Sequence, residues 1–440
     1  MGRIGVIAAL VVGACFSKPA QFMGDDSPPI DAPKGDGPPI DAPTTCTMLS
    51  TKCTGNEIER CATVGAAPIF ESCVWGCDSS GTPRCKLFTP SGSALVGSDL
   101  APDSALAATT LAAAFINGET GEIEGVRAAG TGLVSGIRFE TRGAVGVFRF
   151  KSLEINSPLE LHGVNAIALV AEGNITVNAI IDGTGTCDTG LRRTAGGGAG
   201  GAANVSAMTP GGGLRGTSGD QGGSGGGHGA SGGNGGFNTG GGVLGGATFA
   251  FGTIRGGGGG GGGNGLGGAG GSGGAALQLA SNGTVTITSA GAINAGGCGG
   301  RKTTANAPGA GGGAGGLIVI ESHDVTVAGT LAVNGGGGSA CEAAGNDGEN
   351  GKLARTGALG GDNQSSTGDG GTGGFGIQMM PATLAGQNPP MSAARGGGGG
   401  GGVGRIVIKS AGGTVMGAGV MSPAFDDIGT TAVLSTIVVP

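Results

Sequence analysis

The sequence predicts an all-β chain: a parallel β-helix, a solenoid, with glycine-rich insertions on one face, preceded by a small disulfide-rich module. Three observations predict it. Segments of period-two apolar alternation recur in alignment; glycine tracts interrupt them at one phase of the pattern; and six cysteines fall between Cys46 and Cys85. Period two is the signature of a strand, insertions at a fixed phase of a stacked repeat emerge on one face, and a short exported segment dense in cysteine is stapled by disulfides.

Taken in chain order, residues 1–14 read as an export signal: Arg3 supplies the positive n-region, Ile4 to Val12 a short apolar run, and "VGAC" small residues before Cys15. That stretch resembles a bacterial lipobox, and the resemblance implies cleavage before Cys15 and lipidation of its thiol. Secretion after cleavage nearby is the alternative. Residues 15–45 form a tether in which "DSPPIDAP" recurs as "DGPPIDAP". Proline fixes φ there, so the segment reads as a semi-rigid spacer.

Residues 46–85 carry Cys46, Cys53, Cys61, Cys73, Cys77 and Cys85 in the pattern C-x6-C-x7-C-x11-C-x3-C-x7-C. No histidine and no C-x2-C pair is present, which disfavours zinc. Three disulfides are expected, with connectivity open. Trp75, the only tryptophan, is expected at the packing centre of a miniature core. Residues 86–135 read as a linker and N-terminal cap, and residues 136–430 as the β-helix. The insertions span 183–274, 295–316 and 335–404, and residues 431–440 form a C-terminal strand.

Within 136–430, "AIALVAEGNITVN" aligns with "ALQLASNGTVTIT", placing Ile167, Leu169, Ile175 and Val177 over Leu277, Leu279, Val285 and Ile287. A third copy places Ile318, Ile320, Val325 and Val327 similarly, and a looser fourth begins at Ile406. The first three reach a third apolar position, Ile181, Ile293 or Val333, followed by Asp182, Asn294 or Asn334. One inward face per strand cannot be buried by a single copy, so the copies are expected to stack with parallel pairing. Cys187, Cys298 and Cys341 follow the third strand of successive copies. The expected bond is Cys298 to Cys341, with Cys187 free, because those two copies are nearest in sequence.

Glycine supplies 109 and proline 19 of 440 residues, a composition typical of disorder. Two readings of the tracts therefore stay open. They are disordered, or they lie in extended threefold conformation and bond to one another through the main chain, as glycine's missing side chain permits. The eight-glycine run 256–263 follows Arg255, and the seven-glycine run 396–402 follows Arg395.

The "PPIDAP" tether, the six-cysteine module and "VFRFKSLEINSPLELHG" leading into strands separated by glycine tracts resemble glycine-rich surface lipoproteins of the myxobacterial type. The resemblance implies outer-membrane or cell-surface localisation and no assigned chemistry. The tracts alone, with repeats such as "GGSGGGHGASGGNGG", are similar in composition to PE-PGRS proteins. The chain departs from that family in lacking a proline-glutamate N-terminal domain.

Charged residues are 12% and aromatics 3%, with a net charge of −7. Lacking a basic stripe or stacking rings, the chain is not expected to bind nucleic acid. Fragments of a polygalacturonase signature occur, "GHG" at Gly227, His228 and Gly229 and "RIVIK" at Arg405 to Lys409, but no paired aspartates lie upstream. Asp426 and Asp427 come after the last copy. Ser322, His323 and Asp324 are adjacent in a turn, so no nucleophile–base line is expected from them. The acidic loops around Asp347, Asp362 and Asp369 fit no calcium motif and read as solvated. The expectation is a lipid-anchored, surface-exposed structural or adhesive protein, without catalytic activity or cofactor. Its expected partners are a membrane, through the anchor, and extracellular polysaccharide or another cell surface. The alternative is a carbohydrate-active parallel β-helix enzyme.

Overall fold

The computed structural model describes residues 45–184, 187, 193–237, 242–363, 368–376, 386–388 and 395–439. Cys15 and the tether lie outside them. The described chain is essentially all-β, with one 3-10 turn at Gly97–Leu100 and no α-helix. Residues 45–49 and 61–68 form one compact unit, held by the Cys46–Cys61 disulfide and a main-chain bond from Cys46 to Ala66. Residues 50–60 and 69–439 form the other, where Cys53 pairs with Cys77 and Cys73 with Cys85.

Three mainly parallel sheets dominate the larger unit. The first contains Val145–Phe150, Ala166–Ala171, Ala276–Ser281, Leu317–Glu321, Arg405–Ser410 and Ala432–Thr436, all parallel, with Ile137–Arg142 and Gly132–Val134 joining antiparallel at one edge. The second contains Ala108–Leu111, Ser152–Ile155, Ile175–Val177, Thr284–Ile287 and Asp324–Val327. The third contains Phe115–Asn117, Leu159–His162, Ile180–Asp182, Ala292–Asn294, Thr330–Ala332 and Val420–Ser422. Neighbours within each sheet come from successive copies, so the apolar residues of one copy lie over those of the next. Ile167 faces Leu277, Leu277 faces Ile318 and Ile318 faces Ile406. These residues and their equivalents form one buried apolar cluster.

Several expectations are corrected. The segment 145–162 adds a copy that the alignment did not include, and strands at 108–111 and 115–117 join the second and third sheets within the segment expected as linker and N-terminal cap. The third position of the third copy is Leu331, which pairs with Ile293; Val333 lies two residues beyond it. Both are buried, because a slip of two residues keeps a side chain on the same face. The first sheet is buried on both sides rather than one. Val147, Ala168, Val170, Leu317 and Val319 point away from the main cluster and pack under Phe88, Leu95 and Leu100 of the 86–101 segment. A polar clamp fastens that cover: the Glu321 carboxylate accepts bonds from Ser91 N–H, Ser91 Oγ and Gln278 Nε2, with Lys409 Nζ 3.7 Å away.

Candidate functional site

Each glycine-rich insertion leaves the third sheet and returns to the first. At the exit, Asp182 Oδ1 accepts from Thr184 N–H and Oγ1, Asn294 Oδ1 accepts from Gly296 N–H, and Asn334 Nδ2 donates to the carbonyls of Lys352 and Ala354. The tracts then run as extended legs bonded mainly to one another through the main chain.

The run 256–263 shows the rule. All eight glycines are buried, and none has a positive φ. Gly257, Gly260 and Gly263 donate N–H bonds to Gly274, Gly271 and Gly268; Gly258 and Gly261 donate to Gly227 and Ser224; Gly256 and Gly262 donate to Gly196 and Val205. The carbonyls of Gly257, Gly260 and Gly263 accept from Gly198, Gly201 and Asn204, those of Gly259 and Gly262 from Gly213 and Gly216, and those of Gly258 and Gly261 from Ala314 and Gly311, all 2.7–3.2 Å long. A three-residue period without bonds inside the leg is polyproline II geometry. The groups that such a helix leaves to water are taken here by neighbouring legs on several sides.

The same rule governs 396–402, where Gly396, Gly399 and Gly402 donate to Asp220, Gly223 and Gly226, and Gly398 and Gly401 to Ser339 and Gly336. Glycine is required for closeness rather than for dihedral freedom. A Cβ on any residue from Gly256 to Gly263 would fall within 3.0 Å of main-chain atoms in an adjacent leg. On a peripheral leg the requirement relaxes to one residue in three. Gly345, Gly348 and Gly351 are buried, while Asn346, Asp347 and Glu349 are exposed between them. Of the two readings left open for the tracts, their described residues take the ordered one.

The remaining candidate residues fall around this array. The expected Cys298–Cys341 pair is replaced by Cys187–Cys298, with Cα atoms 5.3 Å apart. Asp182 pairs with Asn294, and Cys187 and Cys298 follow them by five and four residues; Asn294 pairs with Ala332, and Cys341 follows that by nine. The surplus of five residues displaces Cys341 by roughly 15 Å along a leg, beyond disulfide reach. Cys341 is buried, its thiol pushed up to about 11 by burial, and its sulfur accepts a bond from Asn363 Nδ2 at 3.3 Å.

His228 is 2% exposed, stacks on Phe249 with ring centres 4.6 Å apart, and bonds through Nδ1 to the Gly315 carbonyl. Burial pushes its imidazole down to about 4. Arg405 donates to the carbonyl of Phe249, so the "GHG" and "RIVIK" fragments do share one region. No family model, curated protein or solved structure matches the chain.

Ser322 Oγ donates to the Asp324 carbonyl while His323 Nδ1 bonds the Asp324 carboxylate, so the hydroxyl and imidazole do not address each other. Asp427 is buried against Arg355 and accepts from Ala424 N–H. Asp347 binds Arg301 Nη1 and Lys302 N–H, and Asp369 accepts from Asn363 N–H. Among the described residues no group of three or more His, Cys, Asp or Glu could hold a metal. Trp75 corrects its expectation: its ring meets Phe88 at 5.2 Å and His323 at 5.0 Å, so it packs against the covered first sheet rather than inside the cysteine module. The tryptophan signal was visible in the sequence, but one of its two ring partners, His323, lies nearly 250 residues away.

Proposed function

We infer that the chain is a non-catalytic structural or adhesive protein of the cell surface, lipid-anchored at Cys15. In this reading the three sheets wind as a parallel β-helix stalk, and the glycine array forms a slab along it. One observation supports it: over their described residues the glycine-rich insertions are ordered mainly by main-chain hydrogen bonds between legs, with few side chains enclosed among them. Such a slab offers stiffness and surface without the convergent side chains that chemistry needs. The disulfides support an oxidising, extracellular setting, and the export signal supports anchoring.

The test has two parts. A fatty-acid analogue should label the wild type and leave Cys15→Ala unlabelled, and the exported protein should bind whole cells or extracellular polysaccharide without cleaving it. Equal labelling removes the anchor, and polysaccharide cleavage transfers the reading to the carbohydrate-active enzyme. That second reading draws on the shared neighbourhood of His228 and Arg405. Enclosure of the imidazole weighs against it, since a general acid or base must reach its substrate.

A further inference from the structure

A cleft of about 940 Å³ opens between the disulfide-stapled hairpin and the outward face of the second sheet. Its floor comes from successive copies of that sheet: Thr110, Glu154 and Thr176 are consecutive partners across the strands, so polar groups recur at the strand spacing. Parallel strands set that spacing at ~4.8 Å, close to the length of a pyranose unit. Lys151 and Glu172 flank the row. The opposite wall carries Arg60, Glu71 and Arg84.

The lining cations are Arg60, Arg84 and Lys151, and the lining carboxylates Glu71, Glu154 and Glu172, so the charges cancel. Arg60 is paired to Glu71 at 2.9 Å and Arg84 to Asp78 at 2.9 Å, outside any need for a charged ligand. Neither a polyanion nor a polycation is favoured by such a wall. A ligand of hydroxyl groups is favoured, because each hydroxyl both donates and accepts and so suits mixed neighbours. Among the described residues no aromatic ring lines the cleft, so recognition would run through hydrogen bonds rather than stacking. Burial raises the Glu172 carboxyl above its ordinary range, and Asp103 N–H holds it in place.

We propose that this cleft binds a short stretch of neutral polysaccharide, laid across the strands with Lys151, Glu154 and the threonine row contacting its hydroxyls. The proposal rests on the adhesive reading and names its ligand class and site. The experiment titrates the intact exported protein with cellulose-type and maltose-type oligosaccharides, with alginate-type polyanions and an unstructured peptide as comparisons. The variant Lys151→Ala/Glu154→Gln alters two exposed side chains, so its unfolding midpoint should match wild type.

Neutral oligosaccharides should bind, and the variant should bind at least about tenfold more weakly, the loss of one or two hydrogen bonds to charged groups. Failure of every neutral oligosaccharide to bind, equal binding by the variant, or preference for the polyanion or the peptide overturns the proposal. Whole-cell adhesion is measured in parallel. If wild type adheres to cells while no oligosaccharide binds, the cleft proposal falls and the adhesive reading stands; if it binds neither, both fall.

Discussion

Replacing Gly259 by alanine adds one methyl group to the interior of the array. On the existing backbone the new Cβ would lie 2.6 Å from the carbonyl carbon of Ala199. Carbon atoms rest about 3.5–4.0 Å apart, so the 196–202 leg would have to retreat by about 1 Å. That leg is held by bonds from Gly198 to Gly257, Gly201 to Gly260 and Gly256 to Gly196, each 2.9 Å. Lengthening each by ~1 Å takes it out of hydrogen-bond range. Three buried main-chain pairs at about 1–3 kcal/mol each set a ceiling near 9 kcal/mol, and partial relaxation leaves an expected loss of roughly 3–5 kcal/mol. The control is Asn346→Ala, an exposed side chain on a peripheral leg, expected within about 0.5 kcal/mol of wild type. Urea denaturation gives both values, and amide hydrogen exchange across 256–263 shows whether the loss is local. Coincident midpoints for Gly259→Ala and Asn346→Ala would refute the close-contact argument.

Two further outcomes follow from the residues around the array. Non-reducing peptide mapping should recover Cys187 linked to Cys298, and Cys298→Ser should lower stability by roughly 2–4 kcal/mol because the bond closes a loop of 111 residues; a Cys298–Cys341 peptide would show the leg register wrong. His228 stays neutral in the folded chain down to about pH 4 but takes up a proton near 6.5 when unfolded, so its contribution is intact above 6.5 and is lost as pH falls toward 4. Wild type should therefore lose roughly 3 kcal/mol more than His228→Gln over that window, and parallel pH profiles of the two urea midpoints would show the imidazole is not held neutral.

The strand pattern was legible wherever an apolar pair fell on both sides of a turn, as at Ile167, Leu169, Ile175 and Val177, because parallel stacking demands the same face in every copy. The sequence pattern fits Val333 and Leu331 equally, because period two cannot distinguish positions two apart. The copy at 145–162 is less legible because no glycine tract follows its third strand; only three residues separate His162 from Ala166. Burial of both faces of the first sheet had a trace in the unbroken run "AIALVA", yet what covers it, Phe88 and Leu95, comes from a segment with no periodicity of its own. In the array, Gly345, Gly348 and Gly351 recur with a period of three on a leg bonded to 297–300, 337–340 and 359–362, with Asn346, Asp347 and Glu349 exposed between them. The uninterrupted runs carry no such phase, since every position in them is enclosed. The cleft beside the second sheet had no sequence signal, because its two walls come from distant segments.

A β-sheet is bonded along one axis between strands and held to the next layer only by side-chain contact, so it can shear between layers. The 256–263 leg is bonded outward in successive directions as it turns, to 196–205, 213–216, 224–227, 268–274 and 311–314. Material built this way has no cleavage plane. A force applied across the legs from any side meets main-chain hydrogen bonds, and the resistance is shared by many weak links of similar strength rather than concentrated at one seam. The disulfide from Cys187 to Cys298 and the polar clamp at Glu321 then fall where the isotropy ends, at the boundary between the array and the sheets and at the cover of the first sheet.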